Sequence, residues 1–461
     1  MRKIWNLVLE SLRGEERSYT SGSLRRAIVL LSIPMILEMV MESLFAVVDV
    51  FFVSKVGIEA VATVGLTESV ITLVYSLAIG LSMAATAMVA RRVGEKRPGA
   101  AARAGAQAML LAMVLSVAIS ILGIVFAADI LRLMGGTESL IASGVGYTRI
   151  MMGSNMVIML LFLLNGIFRG AGDASLAMRS LWLANGINIL LDPIFIFGWG
   201  PFPEMGVMGA AVATTIGRGL GVAYQLHHLF GGKGVVHIRA ADFLPDLPVL
   251  RKLGNIGATG AGQFLIASAS WIFLMRIIAH FGSESVAGYT IAIRIIVFTI
   301  LPSWGLSNAA ATLVGQNLGA GKPERAEASV WVTAFYNMLF LLGVSIIFIL
   351  LAPQLIRLFN GEPAVVQAGV TSLRIICLGY VFFAYGMVLG QAFNGAGDTR
   401  TPTLLNFICF WLIEIPLAYV LAIPLGWGLP GVCWAIAGAE TLLALLLVVL
   451  FRRGRWKTVV V

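Results

Sequence analysis

The chain has 461 residues, of which 12% are charged and 59% are hydrophobic. Soluble domains carry about 25% charged residues, because a folded globule needs polar side chains to cover its surface. The composition therefore excludes a soluble enzyme, a nucleic-acid-binding domain and a disordered chain, and it predicts an integral membrane protein without a nucleic-acid partner. The net charge of +9 is informative only through its distribution along the chain.

Cysteine and histidine give no sign of a disulfide or metal framework. The 3 cysteines lie inside apolar runs without a CxxC pair, and the 4 histidines have no ligand partners at metal-binding spacing. We therefore expect neither a zinc site nor a cofactor.

Apolar stretches long enough to cross a membrane recur along the whole chain. A helix that spans roughly 30 Å of hydrocarbon needs about 20 predominantly apolar residues. The sequence predicts twelve such spans, at about 27–53, 61–90, 104–128, 140–165, 177–199, 206–230, 253–280, 286–314, 329–352, 365–392, 402–425 and 430–451. Residues 1–26 are polar and basic and lack the apolar core of a signal peptide, so we expect no cleaved leader.

The distribution of lysine and arginine predicts the orientation of these spans. With the N-terminus in the cytoplasm, 24 of the 32 basic residues fall on cytoplasmic segments, three on external loops and five within spans. An excess of basic residues in short cytoplasmic loops is the rule for membrane proteins. We therefore expect a multi-pass protein of the cell membrane, surrounded by lipid, with both termini in the cytoplasm.

The chain contains an internal repeat at a constant shift of 225 residues. Residues 168–173 (Phe-Arg-Gly-Ala-Gly-Asp) match residues 393–398 (Phe-Asn-Gly-Ala-Gly-Asp), and residues 80–82 match residues 305–307 (both Gly-Leu-Ser). Each half therefore holds six spans, and an even number of spans makes the two halves parallel. Transporters use such paired bundles to rock around a binding site near the membrane midplane.

The repeat predicts an all-α polytopic fold of twelve transmembrane helices in two parallel, pseudo-symmetric bundles. Its parts are a cytoplasmic N-terminal segment (1–26), an N-lobe bundle (27–230), a cytoplasmic linker (231–252), a C-lobe bundle (253–451) and a cytoplasmic tail (452–461). The matched Gly-Ala-Gly-Asp segments follow apolar helices rather than strands. We therefore interpret them as tight turns and not as phosphate-binding loops.

Acidic residues break the repeat in span 1. Glu38, Glu42 and Asp49 lie at about 0°, 40° and 20° around a helix that turns 100° per residue, so they share one face. Their repeat partners are not acidic: they are Gln263, Ala267 and Leu274. An ionisable side chain at membrane depth costs several kcal/mol unless it faces protein or water, so each of these acids is a candidate for function.

Span 5 breaks the repeat in the same way. Asn188 and Asp192 lie one turn apart on one helical face, and their repeat partners are Ile413 and Leu417. A carboxylate tied to an arginine would give a structural explanation for a single such residue. Five polar groups confined to one lobe favour a functional site in the N-lobe.

Two further features of the N-lobe have a functional and a structural interpretation. Pro34 either bends span 1 by removing a backbone hydrogen bond or merely lies near its start. Methionine is concentrated before residue 235, where flexible side chains suit varied apolar ligands or equally fill a core. On the functional interpretation, Met35, Met39 and Met156 line a substrate cavity.

Three other carboxylates, Glu68, Glu414 and Glu440, are isolated in the sequence. We expect structural pairing with intramembrane arginines such as Arg218 for most of them. Glu414 differs from the other two because span 11 has no nearby basic residue.

Motifs in spans 1, 5 and 6 resemble those of one transporter family. Pro34 is followed fifteen residues later by Asp49, residues 188–193 read Asn-Ile-Leu-Leu-Asp-Pro, and residues 206–214 read Gly-Val-Met-Gly-Ala-Ala-Val-Ala-Thr. With twelve spans in two halves, the sequence resembles the multidrug and toxic compound extrusion (MATE) family over essentially the whole chain. The resemblance implies an antiporter, not an enzyme, that exports amphipathic and often cationic compounds against entry of Na⁺ or H⁺.

The resemblance also implies roles for individual residues. The N-lobe cation site, where Na⁺ could bind, would consist of Asp49, Asn188, Asp192 and Thr214, with Thr215 competing for the last role. Glu42 and Asn165 match polar positions that line the N-lobe cavity of the family. The transported partners would be small amphipathic molecules, and we expect a monomer.

One departure from the family pattern bears on the coupling ion. A branch of the family also has a glutamate in span 7 and an aspartate in span 10, whereas residues 263–268 and 380–385 contain no acid here. The sequence therefore resembles the DinF-like branch more closely, with coupling confined to the N-lobe and Na⁺ and H⁺ both open.

The sequence predicts coupling by neutralisation of charge. Asp49 and Asp192, close together and poorly hydrated, would take up Na⁺ or H⁺ from outside, which would remove the attraction for a cationic drug. A lipid-linked precursor flippase of the same superfamily is an alternative, but it would need a basic cavity for pyrophosphate. An intramembrane aspartyl-type enzyme is a second alternative, against which the repeat argues. A passive channel would conduct without coupling to a gradient.

Overall fold

A computed structural model of the chain describes residues 2–14, 19–232 and 234–461. Residue 1, residues 15–18 and residue 233 lie outside these ranges, so the N-terminal segment and the linker are described in part. The described residues form helices and turns without a β-strand.

The N-terminal half of the chain contains the first helices of the bundle. They are α1 (Arg2–Arg13), α2 (Leu24–Ser54), α3 (Ile58–Gly94), α4 (Pro98–Val125), α5 (Ala127–Leu133), α6 (Glu138–Gly153), α7 (Asn155–Ala171), α8 (Ala174–Phe197) and α9 (Val207–Phe230). The C-terminal half continues with α10 (Leu247–Ala279), α11 (Ser283–Gly319), α12 (Pro323–Arg357), α13 (Pro363–Leu378), α14 (Tyr380–Ala396), α15 (Arg400–Asn406), a π-helix (Phe407–Glu414), α16 (Ile415–Ala422) and α17 (Leu429–Arg452). Short 3₁₀ helices lie at Ala240–Phe243 and Arg455–Thr458.

The helices account for the twelve predicted spans. Within the described residues, 8 helical segments are long and apolar enough to cross a membrane alone. Two more spans are bent pairs, α6 with α7 at 40° and α13 with α14 at 57°. The remaining two spans are α2, with 31 residues, and α9, with 24 residues, which have the required length but carry charged side chains in mid-helix.

The two bends lie at equivalent positions of the two halves. They fall at Ser154 and at Gly379, which are 225 residues apart. The sequence predicts one span at each position, and the structure adds a bend in the middle of each. Gly153 precedes Ser154, and glycine–serine pairs are frequent kink sites because they weaken the backbone hydrogen-bond ladder.

Helix boundaries repeat with the same shift as the sequence. α11 begins and ends 225 residues after α3, and α14 does so after α7. The glycines that end α7 and α14 have positive φ angles, 94° at Gly172 and 90° at Gly397, as the interpretation of these segments as tight turns requires. Asp173 and Asp398 follow them, and each carboxylate accepts a hydrogen bond from the amide three residues later, at 3.0 and 3.1 Å.

Helix α10 begins within residues 231–252, which the sequence assigns to the linker between the halves. α10 begins at Leu247 rather than near residue 253, because Pro248 occupies the first turn of the helix, where proline needs no hydrogen-bond donor. Gln107 of α4 holds the linker in place: its Nε2 donates to the carbonyl of Asp242 at 2.7 Å and its Oε1 accepts from the amide of Asp246 at 3.0 Å.

The two ends of the chain contain more regular structure than their polar sequence suggested. Residues 2–13 form helix α1, and α2 already begins at Leu24, where Ser23 accepts a hydrogen bond from the amide of Arg26. Beyond α17, the ring of Trp456 is fully buried and stacks on Phe451 with 4.5 Å between ring centroids.

The two lobes pack tightly on the side that carries the linker, called the linker side below. There α2 packs on α11 and α3 packs on α10, so each lobe contacts the other through an equivalent helix pair. A Cβ at Gly94 would overlap the carbonyl oxygen of Gln316, and a Cβ at Gly319 would overlap that of Arg91. Thr312 also donates a hydrogen bond across the lobes to the carbonyl of Arg169, at 3.1 Å. Glycine is required at both crossings because the backbones touch.

Candidate functional site

A cavity of about 410 Å³ lies between the two lobes and is large enough for a drug-sized ligand. Its charged lining residues come from the N-lobe and are Glu38, Glu42, Asp49, Glu68, Arg169 and Arg218. The C-lobe contributes aromatic and amide side chains, among them Phe264, Trp304, Asn308 and Gln391. Four carboxylates against two guanidinium groups give the cavity an acidic lining, which suits a cationic ligand with an apolar body.

Glu38 lies at the base of one hydrogen-bonded network. Its side chain is 1% exposed, and its Oε1 accepts from Asn165 Nδ2 at 3.0 Å and lies 3.3 Å from Arg169 Nη1. Asn165 in turn accepts a hydrogen bond from Gln225. Asn165, predicted to line the cavity, therefore lies behind Glu38 rather than in the cavity wall.

Glu42 belongs to a second network with Arg218. Asn185 Nδ2 donates to Glu42 Oε2 at 2.9 Å, and Arg218 Nη2 lies 3.9 Å from Glu42 Oε1. Arg218 also donates to the hydroxyl of Tyr75 at 2.8 Å and lies over the ring of Phe45, 5.7 Å from its centroid. The sequence identified Arg218 as a neutralising charge but gave no sign of its two aromatic partners, which come from other spans.

Asp192, Asn188 and Thr214 form a third network, buried in the N-lobe. In the amide orientation that satisfies every partner, Asn188 Nδ2 donates to Asp192 Oδ2 at 2.9 Å, and Asn188 Oδ1 accepts from the amide and the hydroxyl of Thr214 at 2.7 and 2.9 Å. Asp192 is fully buried, and its Oδ1 has no hydrogen-bond partner in the described part of the chain. A buried carboxylate oxygen without a partner is costly unless a cation or a proton joins it.

Asp49 connects this network to the cavity. Its side chain is 9% exposed, lines the cavity together with Thr214, and interacts electrostatically with Asp192 and Glu68. Asp49 has no ion pair with an arginine or lysine of the described residues within 4.0 Å. Arg218 acts on Asp49 electrostatically without an ion pair, whereas no arginine of the described residues is among the electrostatic partners of Asp192.

The structure distinguishes Thr214 from its neighbour. Thr214 contacts Asn188 and the cavity, whereas the hydroxyl of Thr215 donates to the carbonyl of Ala211 at 2.8 Å and bonds to Ser154 Oγ at 3.0 Å. Thr215 thus packs on the bend between α6 and α7 and takes no part in the carboxylate site.

The remaining candidates from the sequence lie partly outside the cavity. Met39 lines it, but Met35 is fully buried where α2 packs on α11, and its carbonyl lies against Gly305. Met156 packs against the apolar core of the N-lobe. The prediction that these two methionines line the cavity does not match their positions, because α2 and α7 are surrounded by protein on several faces. Pro34 lies inside α2, which continues through it as one helix.

The ligand atoms of the site are oxygens of carboxylate, amide and hydroxyl groups. Among the described residues, no group of three or more His, Cys, Asp or Glu side chains is placed to hold a metal ion. The unpartnered Oδ1 of Asp192, the carboxylate of Asp49 and the hydroxyl of Thr214 fit H⁺ or Na⁺, since Na⁺ prefers oxygen ligands.

The chain is similar to members of one transporter family over nearly its whole length. The family model MatE matches residues 34–194 and 261–420, one match in each lobe. The chain is 28% identical over 437 residues to the probable multidrug resistance protein NorM of Thermotoga maritima, covering 94% of this chain and 93% of that protein. Two crystal structures, described as MATE in the straight and in the bent conformation, are each 28% identical, with TM-scores of 0.89 and 0.88. The first covers 98% of this chain and 99% of its own, and the second 97% of each.

Proposed function

Because the chain belongs to the MatE family of multi-pass membrane transporters, which are not enzymes, we propose that it exports amphipathic, often cationic compounds in exchange for Na⁺ or H⁺. The name of the Thermotoga maritima relative supports multidrug substrates. The acidic, aromatic lining of the cavity supports cations that carry apolar groups. The coupling site consists of Asp49, Asn188, Asp192 and Thr214.

The unpartnered carboxylate oxygen of Asp192 is the observation that carries this proposal. Asp192 lies behind Asp49, and Asp49 lies in the cavity wall, so a charge taken up at this pair changes the field that a bound drug experiences. Two carboxylates in a poorly hydrated site repel each other, and one added H⁺ or Na⁺ relieves that repulsion.

Exchange follows if the drug and the ion cannot both be bound. A cationic drug compensates the negative charge of Asp49 and its neighbours from the cavity. An incoming H⁺ or Na⁺ compensates it at Asp49 and Asp192, so the drug loses its attraction and leaves. The drug and the ion each favour a different arrangement of α2, which carries Pro34. This difference couples export of the drug to entry of the ion.

The sidedness of the cycle follows from the basic residues. The linker side carries most of the lysine and arginine outside the spans, and we assign it to the cytoplasm, together with both termini. The lobes are in contact on that side, through Gly94, Gly319 and the hydrogen bond of Thr312. This arrangement supports a state that is closed to the cytoplasm and able to receive ions from outside.

The other functions receive less support from the site. A flippase for lipid-linked pyrophosphates needs a basic cavity, whereas the carboxylates here outnumber the arginines. Confinement of coupling to the N-lobe, as in the DinF-like branch, rests on the absence of acids at residues 263–268 and 380–385.

Transport of a fluorescent cation tests the proposal. Purified protein is reconstituted in liposomes, Na⁺ and H⁺ gradients are imposed separately, and ethidium movement is measured for wild type and Asp49→Asn. We expect one of the two gradients to drive ethidium in the wild type and neither to do so in Asp49→Asn, because the substitution removes the negative charge but keeps the shape.

Asp129→Asn serves as the matched control, since Asp129 is exposed on α5 and, among the described residues, forms its ion pair with Arg132. Both variants are compared with wild type for expression, size-exclusion profile and helical circular dichroism. Gradient-driven efflux that survives in folded Asp49→Asn would contradict the assignment of the coupling site.

A further inference from the structure

Three amide side chains of the C-lobe line the cavity between the lobes but have no part in the proposed coupling site. They are Asn308 of α11 and Gln391 and Asn394 of α14. Gln391 and Asn394 are three residues apart, so they lie on one face of their helix. No hydrogen bond joins any of the three amide groups to another described residue. The C-lobe therefore presents unused hydrogen-bonding groups to the cavity that the N-lobe lines with carboxylates.

Asn394 is buried with both ends of its amide unpaired. The residue is 2% exposed, and neither its Nδ2 nor its Oδ1 has a hydrogen-bond partner in the described part of the chain. Its neighbour Gly395 also lines the cavity, and a Cβ there would overlap the carbonyl oxygen of Ala311 on α11. This close crossing of α14 and α11 fixes the amide at the cavity wall. A buried amide without hydrogen bonds is unfavourable, and a ligand in the adjoining cavity can supply the missing partners.

The repeat partner of Asn394 in the N-lobe makes the contacts that Asn394 lacks. That partner is Arg169, whose Nη1 lies 3.3 Å from Glu38 Oε1 and whose Nη2 donates to Ser82 Oγ at 3.2 Å. In the C-lobe, Gln263 stands at the position of Glu38, and its buried Oε1 also has no hydrogen-bond partner among the described residues. The two positions are thus joined in the N-lobe, whereas in the C-lobe both side chains keep free hydrogen-bonding atoms.

The other two amides break the repeat at the cavity. The positions of Asn308 and Gln391 hold Met83 and Gly166 in the N-lobe, neither of which has a polar side chain. Polar side chains with a purely structural task, such as the aspartates that cap α8 and α15, occur in both halves. Amides that line the cavity in one half only are therefore better explained by a ligand than by the scaffold.

Aromatic rings of the C-lobe line the same cavity. Phe264 and Trp304 stack with 6.4 Å between ring centroids and an angle of 22° between the ring planes. Trp304 lies one helical turn before Asn308 on α11, so a ring and an amide share one face of that helix. A flat aromatic body can pack on these rings while polar groups on its edge bond to the amides.

We propose that Asn308, Gln391 and Asn394 form the C-lobe half of the substrate site, where they hydrogen-bond polar substituents on the body of the transported cation. This inference rests on the proposed function, because it takes the N-lobe carboxylates as the partners of the positive charge. Each amide carries both a donor and an acceptor, so amine, amide and carbonyl substituents are all suitable ligands.

The two lobes then recognise different properties of one molecule. The carboxylates of the N-lobe attract any cation, because Coulomb attraction depends on charge and distance and not on the substituents of the ligand. The amides of the C-lobe distinguish cations of equal charge, because a substrate without polar substituents leaves the buried amide of Asn394 unpaired. The substrate class is therefore narrower than amphipathic cations in general: it consists of those that also carry hydrogen-bonding groups.

Two cations that differ only in their polar substituents test the proposal. Ethidium carries two aromatic amino groups, and the phenanthridinium that lacks both keeps the same charge and rings. Binding of each is measured by isothermal titration calorimetry to the purified full chain as wild type, Gln391→Met and Asn394→Leu, since Met and Leu resemble the amides in size but lack their hydrogen bonds. We expect the preference for ethidium over its analogue to fall by roughly 2- to 10-fold in each variant, the effect of one hydrogen bond. Affinity for the analogue should stay close to that of wild type.

Gln354→Met is the matched control, since Gln354 is exposed on α12 and does not line the cavity. Retained binding of the analogue shows that a variant is folded, and Gln391→Met decides the matter if Asn394→Leu does not fold. Equal weakening of both cations would overturn the proposal by giving the amides a packing role. Unchanged affinity for both would also overturn it, because the amides would then bond to water alone. A preference that disappears as expected, in a protein whose ethidium efflux no gradient drives, would contradict the proposed exchange but support the amide site.

Discussion

Spans 5 and 11 occupy equivalent positions in the two lobes but differ in backbone and in chemistry. Span 5 is the regular helix α8, whose Asn188 and Asp192 join Thr214 in a hydrogen-bonded network. Span 11 is α-helix, then π-helix, then α-helix again, and apolar side chains stand at the positions of Asn188 and Asp192. Its own acid, Glu414, is buried at a different position, as the last residue of the π-helix.

The difference shows what the repeat preserves. Turns, helix boundaries and helix crossings recur in both lobes because they are set by glycine, proline and capping residues that the repeat retains. The carboxylates within the spans do not recur: the positions of Glu38, Glu42, Asp49 and Asp192 hold Gln263, Ala267, Leu274 and Leu417 in the second half. A symmetric scaffold thus carries different buried carboxylates in its two lobes, Asp192 beside Asn188 and Thr214 in one and Glu414 in the other.

Removing the acid of span 5 gives the largest expected effect. Asp192→Asn should reduce gradient-driven ethidium transport to the level of empty liposomes, because it removes one of the two carboxylates that take up the coupling ion. Leu417→Met, at the equivalent position of span 11, should retain transport close to that of wild type. Both variants are measured in the same liposome assay. Equal losses of transport would show that spans 5 and 11 do not differ in their importance for coupling.

Alanine substitution of Gly94 or Gly319 should weaken the contact between the lobes to a similar extent. Gly94→Ala and Gly319→Ala each force a Cβ against a facing carbonyl, which costs about 1–3 kcal/mol in the closed linker side. We expect faster maleimide labelling of a cysteine substituted for Thr312, which is fully buried at the crossing. Gly343→Ala, with open space around it, is the control and should leave the labelling rate unchanged. Faster labelling in only one of the two alanine variants would contradict the equivalence of the two crossings that the helix boundaries indicate.

Substitutions of the two neighbouring threonines of span 6, Thr214 and Thr215, should differ by a smaller effect on ion affinity. Thr214→Val removes a hydroxyl from the carboxylate network, and the loss of one buried hydrogen bond is worth about 0.5–1.5 kcal/mol. We expect the apparent affinity for the coupling ion to fall by roughly 2- to 10-fold on that basis. Thr215→Val should leave it unchanged, because its hydroxyl bonds at the bend of α6 and α7. If Thr215→Val lowered the apparent affinity for the ion more than Thr214→Val, the coupling site would have to be assigned to Thr215.

The smallest effect concerns the helix caps. Asp173→Ala and Asp398→Ala each remove a carboxylate that caps a helix start, which costs about 1 kcal/mol. Both should lower the melting temperature by a similar few degrees, whereas Glu204→Ala, on an exposed loop, should not. Melting curves that differ clearly between the two lobes would argue against equivalent turns.

The sequence predicted the architecture because its signals are local. Glycines with positive φ at residues 172 and 397 end helices wherever they occur, and the shift of 225 residues places them in both halves. The helical spacing of Glu38, Glu42 and Asp49 likewise placed three acids on one face of α2, and all three line the cavity.

Features that depend on packing between distant spans were not predictable. Met35 and Met39 differ by one turn, yet Met35 lies where α2 packs on α11 and Met39 faces the cavity between the lobes. The partners of Arg218 come from α2 and α3, and no spacing in the sequence connects them. The π-helix has no local signal beyond the proline that follows it.

Equilibrium binding of ethidium to the purified protein tests the central claim most directly. The claim is that drug and coupling ion exclude each other at Asp49 and Asp192, and mutual exclusion must appear as reciprocal weakening of affinity. Fluorescence titrations at rising Na⁺, and separately at falling pH, should weaken ethidium binding to the wild type with one of the two ions. In Asp192→Asn that dependence should disappear while ethidium still binds. The same ion dependence in wild type and variant would contradict the account.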